Sequence, residues 1–123
     1  MMQQERFSIR SRLKSFSHAI AGIRRFVWYE HNARIHLAAT IAVIIVAWVL
    51  RVSYFEAALL AVVTGFVWVA EILNTCIERL ADHMTRELHP EIKIIKDLAA
   101  GAVLIAAAIA VIAGLFIFIP KLI

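Results

Sequence analysis

Four polar side chains are spaced so that they share one face of a helix that begins in an apolar segment. They are Glu71, Asn74, Glu78 and Asp82, at positions i, i+3, i+7 and i+11. At about 100° per residue, this spacing keeps them within about 60–80° of one another. A carboxylate inside a bilayer costs about 2.5–3.5 kcal/mol on insertion scales, so Glu71 is expected to face protein or water and to have a function. A hydrogen-bonding role in an oligomer interface is the alternative for this residue.

Further charged residues lie where other apolar segments start. Glu30 and Arg34 stand at the start of the first segment, and Lys96 and Asp97 at the start of the third. Carboxylate oxygens suit Mg²⁺, and a lysine at a helix N-terminus favours phosphate groups. Together these residues could hold a divalent cation and a polyphosphate, which indicates phosphoryl transfer at a lipid headgroup. Ordinary ion pairs at helix ends give the same pattern, and no GxxxxGK loop is present, so the residues alone leave both interpretations open.

The composition excludes an ordinary soluble domain. The chain has 123 residues, of which 63% are hydrophobic and 18% charged, and its mean hydropathy is +0.83. The apolar residues are concentrated in three runs, 33–50, 54–73 and 98–119, each about long enough to cross a bilayer as a helix. We therefore predict an all-α membrane protein in which residues 1–123 form a single membrane domain with three transmembrane helices.

Residues 5–29, ahead of the first run, have the pattern of a basic amphipathic helix. Apolar side chains recur at spacings of three and four, at Ile9, Leu13, Phe16, Ile20, Ile23 and Val27. Basic side chains fall largely elsewhere on the helical wheel. This pattern predicts a surface helix in the membrane interface that contacts anionic lipid headgroups. Packing on a soluble domain is the alternative. Because the basic residues flank apolar runs, we expect no nucleic acid partner.

The distribution of basic residues predicts the orientation in the membrane. Of the 13 lysines and arginines, only Arg51 and Lys121 lie on the side opposite the N-terminus and the 78–97 loop. The positive-inside rule then makes the N-terminus and this loop cytoplasmic and the C-terminal tail external. The short connection 51–53 predicts a tight antiparallel hairpin, and His89-Pro90-Glu91 predicts the start of the third helix.

The acidic helix and the Lys96-Asp97 pair also carry a resemblance to a known family. The stretch 70–78 reads A-E-I-L-N-T-C-I-E, and Lys96-Asp97 is followed by A-A-G-A-V at 99–103. These segments resemble the signature of the small prokaryotic diacylglycerol kinase and undecaprenol kinase family, and the resemblance extends over residues 10–119. It implies an ATP-dependent lipid alcohol kinase that uses Mg²⁺ in the prokaryotic cytoplasmic membrane. It also implies a homotrimer of three-span subunits, with an active site shared between neighbouring subunits.

The resemblance assigns roles to individual positions. Glu71 corresponds to the general base that takes the proton from the lipid hydroxyl, and Glu30 and Glu78 correspond to the carboxylates that hold Mg²⁺ on ATP. His18 stands where some members carry a tyrosine near the adenine. The remaining positions around the nucleotide correspond to Asn74, Glu87, His89, Lys96 and Asp97.

Two features distinguish the candidate lipids, and the resemblance assigns Arg34 and Ala100 to the lipid substrate. Residues 30–36 read E-H-N-A-R-I-H, which resembles the E-x-N-x-R-I-H of the undecaprenol kinase branch, whereas the diacylglycerol branch typically reads E-A-x-F-R-Q-E. Ala100 stands where the diacylglycerol branch carries a serine, whose loss is worth about 1 kcal/mol in discrimination. Undecaprenol is therefore the favoured substrate and diacylglycerol the alternative. A small proton-coupled transporter that uses Glu71 is an alternative of another class, but it would show broken or inverted-repeat helices, which this sequence lacks.

Overall fold

The computed structural model describes residues 6–85 and 87–123, in which every regular element is an α-helix. The helices are α1 (Ile9–Tyr29), α2 (His31–Val49), α3 (Tyr54–Met84) and α4 (Pro90–Leu122). The predicted all-α class is therefore confirmed. The chain divides into two compact units, one ending at Ile35 and the other formed by His36–Ile123, and each is described by itself below. That the whole chain forms one domain remains a prediction.

Helix α1 is the predicted amphipathic segment, with a corrected start. The sequence prediction began it at residue 5, which lies outside the described residues, but residues 6–8 precede the helix and are not helical. Ser8 is the N-cap, and its hydroxyl accepts a hydrogen bond from the Ser11 N–H, which sets the boundary. The apolar stripe is exposed in this chain: Ile9, Leu13, Phe16, Ile20 and Ile23 are each more than half exposed. Its place in a membrane interface remains a prediction.

Helices α2, α3 and α4 are each long and apolar enough to cross a membrane. With 31 and 33 residues, α3 and α4 are about 46 and 50 Å long, well beyond the roughly 30 Å of a hydrocarbon core. The predicted spans 54–73 and 98–119 cover only the apolar parts of these two helices. The rest of α3 and the first turns of α4 lie at the same end of the pair and carry the polar residues.

The two connections have clear sequence causes. After α2, Arg51 adopts a left-handed backbone with φ of 53°, and the Val52 N–H donates to the Ala47 carbonyl at 3.2 Å. The Ser53 hydroxyl then caps α3 by accepting from the Glu56 N–H at 3.1 Å. At α4, His89 is the N-cap and Pro90 occupies the first turn, so the predicted start of this helix is confirmed.

Helices α3 and α4 pack against each other through a narrow seam. The buried apolar residues of the second unit are Leu60, Val67, Ala81, Ala99 and Ala106. The alanines allow the two backbones to approach closely. Far from the polar end, Lys121 Nζ lies 3.1 Å from Glu56 Oε2, which joins the end of α4 to the start of α3. This packing fixes the rotation of α3 and so determines what surrounds its acidic face.

Candidate active site

Glu71 is buried on α3, and its two carboxylate oxygens have different surroundings. Its side chain is only 7% exposed, and Oε1 lies 2.9 Å from Nε2 of His36 on α2. Because an ionised carboxylate can only accept, the histidine donates through Nε2–H. The second oxygen, Oε2, is buried and has no hydrogen-bond partner within the described parts of the chain. One oxygen of Glu71 is therefore hydrogen-bonded to His36, and the other is buried without a hydrogen bond.

A second set of contacts supports His36. The Thr40 hydroxyl donates to the His36 carbonyl at 2.7 Å and accepts from Trp68 Nε1 at 2.8 Å. The Trp68 ring also lies edge-on to the imidazole, with 6.4 Å between ring centroids. These contacts link α2 to α3 at the level of Glu71.

The sequence analysis did not identify His36 as a partner of Glu71. A signal was present, because both residues lie about four to five helical turns from the hairpin connection and so at similar depth. Depth alone could not show that the two side chains face each other.

Asn74 lies one turn beyond Glu71 and is also buried, with 7% exposure. Its Nδ2 donates to Glu78 Oε1 over a long distance of 3.4 Å, whereas its Oδ1 is buried without a hydrogen-bond partner among the described residues. Glu78 itself is exposed. Two buried acceptor oxygens and one exposed carboxylate therefore follow one face of α3, and such oxygens are satisfied by a proton donor or a hard cation.

The start of α4 brings positive charge to this acidic face. Lys96 Nζ lies 2.7 Å from Asp82 Oδ1 on α3. The hydrogen bond to Asp82 raises the pKa of Lys96, which lies ahead of the apolar segment 98–119, above its ordinary value of 10.5. Burial opposes this shift, and the charges of Asp82 and Glu78 add to it. The Lys96 ammonium therefore stays charged at neutral pH.

The neighbouring Asp97 has a different partner, because adjacent residues on a helix point about 100° apart. Its Oδ2 lies 2.6 Å from Lys93 Nζ within α4. Both groups of this pair are largely exposed, with side-chain exposures of 63% and 73%. Lys96 and Asp97, grouped by the sequence motif, thus lie in two separate ion pairs.

Three predicted site residues belong to the first unit. Glu30 is the C-cap of α1, and its N–H donates to the Phe26 carbonyl at 3.0 Å. Arg34 Nη2 donates to the Trp28 carbonyl at 3.0 Å. His18 is exposed on α1. Their predicted roles toward Mg²⁺, lipid and adenine remain predictions.

The other predicted positions lie at the α3–α4 connection and on α4. The Glu87 N–H donates to the Thr85 hydroxyl at 3.1 Å, and Glu87 is exposed. His89 Nδ1 accepts from the Glu91 N–H at 3.2 Å, so this side chain caps a helix. Ala100 is exposed on α4. None of these contacts tests the predicted nucleotide or lipid roles.

The oxygen donors of this face can be compared with what Mg²⁺ on a nucleotide requires of a protein. Among residues 6–85 and 87–123, no three His, Cys, Asp or Glu side chains converge as a metal-binding group. Mg²⁺ on a polyphosphate needs only one or two protein carboxylates, because phosphate oxygens and water complete its shell. The exposed Glu78 beside the unpartnered Asn74 Oδ1 fits that requirement.

An apolar groove of about 430 Å³ runs along α2, α3 and α4. Its polar end is formed by His36, Thr40 and Trp68, and it continues past Phe118 to Leu122. His36 therefore both lines the groove and hydrogen-bonds Glu71. The rest of the lining is almost entirely aliphatic, so the groove suits a hydrocarbon chain whose polar end lies near Glu71.

Comparison with known proteins adds to this geometry. A family model described as prokaryotic diacylglycerol kinase matches residues 17–118. A protein named undecaprenol kinase, from Bacillus subtilis (strain 168), is 42% identical over 109 residues, which cover 89% of each chain. A protein named diacylglycerol kinase, from Synechocystis sp., is 40% identical over 111 residues, which cover 89% of this chain and 63% of that protein. Because the two identities are nearly equal, overall similarity separates the two lipids only slightly.

Proposed function

Because this chain belongs to the prokaryotic diacylglycerol kinase family and is therefore a lipid kinase, a phosphotransferase, we propose that it transfers the γ-phosphoryl group of ATP to the hydroxyl of undecaprenol. The membership confirms the resemblance seen in residues 70–103 and sets aside the transporter alternative. Family membership also implies a lipid substrate and the use of ATP. The identity of the lipid, the role of Mg²⁺ and the residue roles are our proposals.

The observation that carries the mechanism is that the two carboxylate oxygens of Glu71 have different surroundings. Its Oε1 is held by His36, while Oε2 is buried with no hydrogen-bond partner in the described chain. We assign Oε2 as the general base that accepts the proton of the lipid hydroxyl. The hydroxyl oxygen forms a bond to the γ-phosphorus as the bond from that phosphorus to the β–γ bridging oxygen breaks. ADP leaves with the electron pair, and the proton later passes from Glu71 to water.

Phosphoryl transfer also requires charge neutralisation and positioning. We propose that Glu78 and Glu30 hold Mg²⁺, which would neutralise phosphate charge when bound. Lys96 is charged at neutral pH, and both it and its partner Asp82 are accessible to solvent, so phosphate oxygens can compete for its ammonium. We assign the remaining nucleotide contacts, as the family resemblance implies, to Asn74, Asp97, Glu87, His89 and His18.

Three observations favour undecaprenol over diacylglycerol, and the apolar groove is compatible with it. The Bacillus subtilis relative is named undecaprenol kinase, and residues 30–36, including Arg34, have the pattern of that branch. Ala100 offers no hydroxyl to a glycerol portion, a difference worth about 1 kcal/mol, or several-fold. The groove that begins at His36 is apolar along its length and is compatible with an isoprenoid chain. Diacylglycerol remains the second candidate, because the Synechocystis relative bears that name.

We propose that the active form is a homotrimer with its N-terminus and the α3–α4 connection in the cytoplasm. The exposed Glu78 and any substrate bound beside Glu71 and Asn74 must be shielded from lipid, and a neighbouring subunit can do so. The excess of basic residues at one end supports the orientation.

The test is a side-by-side kinase assay. Purified protein with Mg·ATP is given undecaprenol or dioleoyl diacylglycerol in the same micelles at matched surface concentration. We expect kcat/KM to be several-fold higher for undecaprenol, and Ala100→Ser to shift the ratio toward diacylglycerol. Ala108→Ser, at another exposed alanine of α4, is the control and should leave the ratio unchanged.

A clear preference for diacylglycerol would replace undecaprenol as the substrate and leave the kinase assignment intact. The absence of any phosphorylated product from either lipid, in protein that remains folded, would overturn the proposed reaction.

A further inference from the structure

We propose that His36 is a positioning residue for the phosphoryl transfer: its imidazole holds Oε1 of Glu71, which leaves Oε2, the oxygen without a hydrogen-bond partner in the described chain, to take the proton of the lipid hydroxyl. This inference rests on the proposed role of Glu71 as the base. It gives His36 a role in the reaction that the family resemblance did not assign to it.

The contact has the properties that positioning requires. His36 Nε2 and Glu71 Oε1 are 2.9 Å apart, and their side chains are 22% and 7% exposed. A glutamate has three side-chain torsions, and a carboxylate free to rotate would present either oxygen, or neither, to a substrate. A hydrogen bond from another helix selects one orientation, and a general base must lie within hydrogen-bond reach of the proton it takes.

The backbone of His36 belongs to a set of contacts that joins α2 to α3. Thr40 donates to the His36 carbonyl, and Trp68 Nε1 donates to the Thr40 hydroxyl, so a chain of polar contacts returns to α3. The Trp68 ring lies edge-on to the imidazole, with 6.4 Å between ring centroids. No proton passes to His36 in this scheme, because its Nε2–H donates to Oε1 both before and after Oε2 is protonated.

A purely structural role makes a different prediction. Because the His36–Glu71 contact joins α2 to α3, a structural role predicts that its loss lowers thermal stability and affects kcat and KM together. A positioning role predicts that loss of the His36 side chain lowers kcat alone. It also predicts that this fall in kcat occurs only when Glu71 is present.

The experiment compares His36→Leu, which keeps an apolar side chain but has no donor, with His36→Gln, which keeps an N–H donor. We expect His36→Leu to lower kcat about 10- to 100-fold, the size of one hydrogen bond to a charged group, with the KM for Mg·ATP little changed. His36→Gln should recover most of kcat. His83→Leu, at an exposed histidine of α3, should leave both constants unchanged.

A double-mutant cycle then shows whether His36 acts through Glu71. In a Glu71→Gln background, His36→Leu should cause no further loss of the residual kcat. An equal loss in both backgrounds, or equal losses for His36→Leu and His36→Gln, would overturn the positioning role. Should His36→Leu fail to fold, His36→Asn, whose shorter side chain does not reach Glu71, takes its place in the cycle. Wild-type kcat in Glu71→Gln alone would instead overturn the proposed base, so the two failures are distinguishable.

Discussion

Replacing Glu71 by glutamine is expected to stabilise the folded protein while it abolishes most of the catalysis. The reason is that the buried Oε2 of Glu71 and the buried Oδ1 of Asn74 are both acceptors without hydrogen-bond partners in the described chain. Glu71→Gln keeps an acceptor for His36 and adds an amide donor one helical turn from Asn74, where side chains at i and i+3 are neighbours.

The magnitude follows from two opposing changes. Relieving a buried unsatisfied polar group is worth about 1–3 kcal/mol, and more when the group is charged. The hydrogen bond from His36 weakens from the range for charged acceptors, about 1.5–3 kcal/mol, to the neutral range of about 0.5–1.5. The net expectation is a gain of about 1 kcal/mol in the free energy of unfolding, or about 3–6 °C in Tm for a chain of this size. Loss of the general base should lower kcat by about 10²–10⁴.

The same substitution elsewhere on α3 is a matched control with the opposite expected sign. Glu56 is 28% exposed, and its buried Oε2 lies 3.1 Å from Lys121 Nζ, an ion pair without hydrogen-bond geometry whose opposite charge Glu71 Oε2 lacks. Glu56→Gln leaves the partly buried Lys121 charge without its counter-ion, so the free energy of unfolding should fall by about 1 kcal/mol after allowance for solvent screening. The value of kcat should not change, because Glu56 lies at the end of the helix far from Glu71.

The Tm of both variants can be measured in the same detergent from tryptophan fluorescence during heating at one scan rate. The kinase assay is run on the same samples. The reasoning requires Glu71→Gln and Glu56→Gln to shift Tm in opposite directions. A fall of similar size in both would refute it, because it would show that the charge of Glu71 is fully compensated in the folded state.

Three further outcomes are expected. Because the pKa of Lys96 is raised above 10.5 in the folded state, its pairing with Asp82 should stabilise the protein from neutral pH up to that value and be lost as the pH rises through the raised pKa. The Tm difference between wild type and Asp82→Asn, measured from about pH 7 to about pH 11, should therefore disappear only at the alkaline end of this range. A difference that disappears near neutral pH would contradict the pairing. The orientation with a cytoplasmic α3–α4 connection can be tested with an impermeant maleimide in a Cys76→Ser background. Thr85→Cys should react only in inside-out vesicles, and Ile123→Cys should react only in right-side-out vesicles. The reverse pattern would refute this orientation. Mass measurement of the active protein in mild detergent should give three copies, whereas a fully active monomer would contradict the trimer.

The sequence was sufficient for the helices because a membrane leaves few alternatives. In lipid each backbone polar group must be satisfied within its own segment, so apolar runs such as 98–119 predict helices directly. His89 and Pro90 also predicted the start of α4 correctly. The start of α1 was placed too early, because the apolar stripe begins only at Ile9 and Ser8 caps the helix there. The apolar runs likewise did not predict how far α3 continues beyond the membrane.

The periodicity of one helix also predicted the acidic face that carries Glu71, Asn74 and Glu78, because positions on a single helix have fixed angular relations. Only the tertiary structure decided the partners across helices. It pairs His36 with Glu71 and Lys96 with Asp82, and it leaves Glu71 Oε2 and Asn74 Oδ1 without a partner in the described chain. Such pairings depend on the rotation and axial register of one helix against another, which are set by the close packing at small residues such as Ala99 and by the hairpin turn. A repeat of 3.6 residues fixes which side chains share a face of one helix, but not which neighbouring helix that face meets.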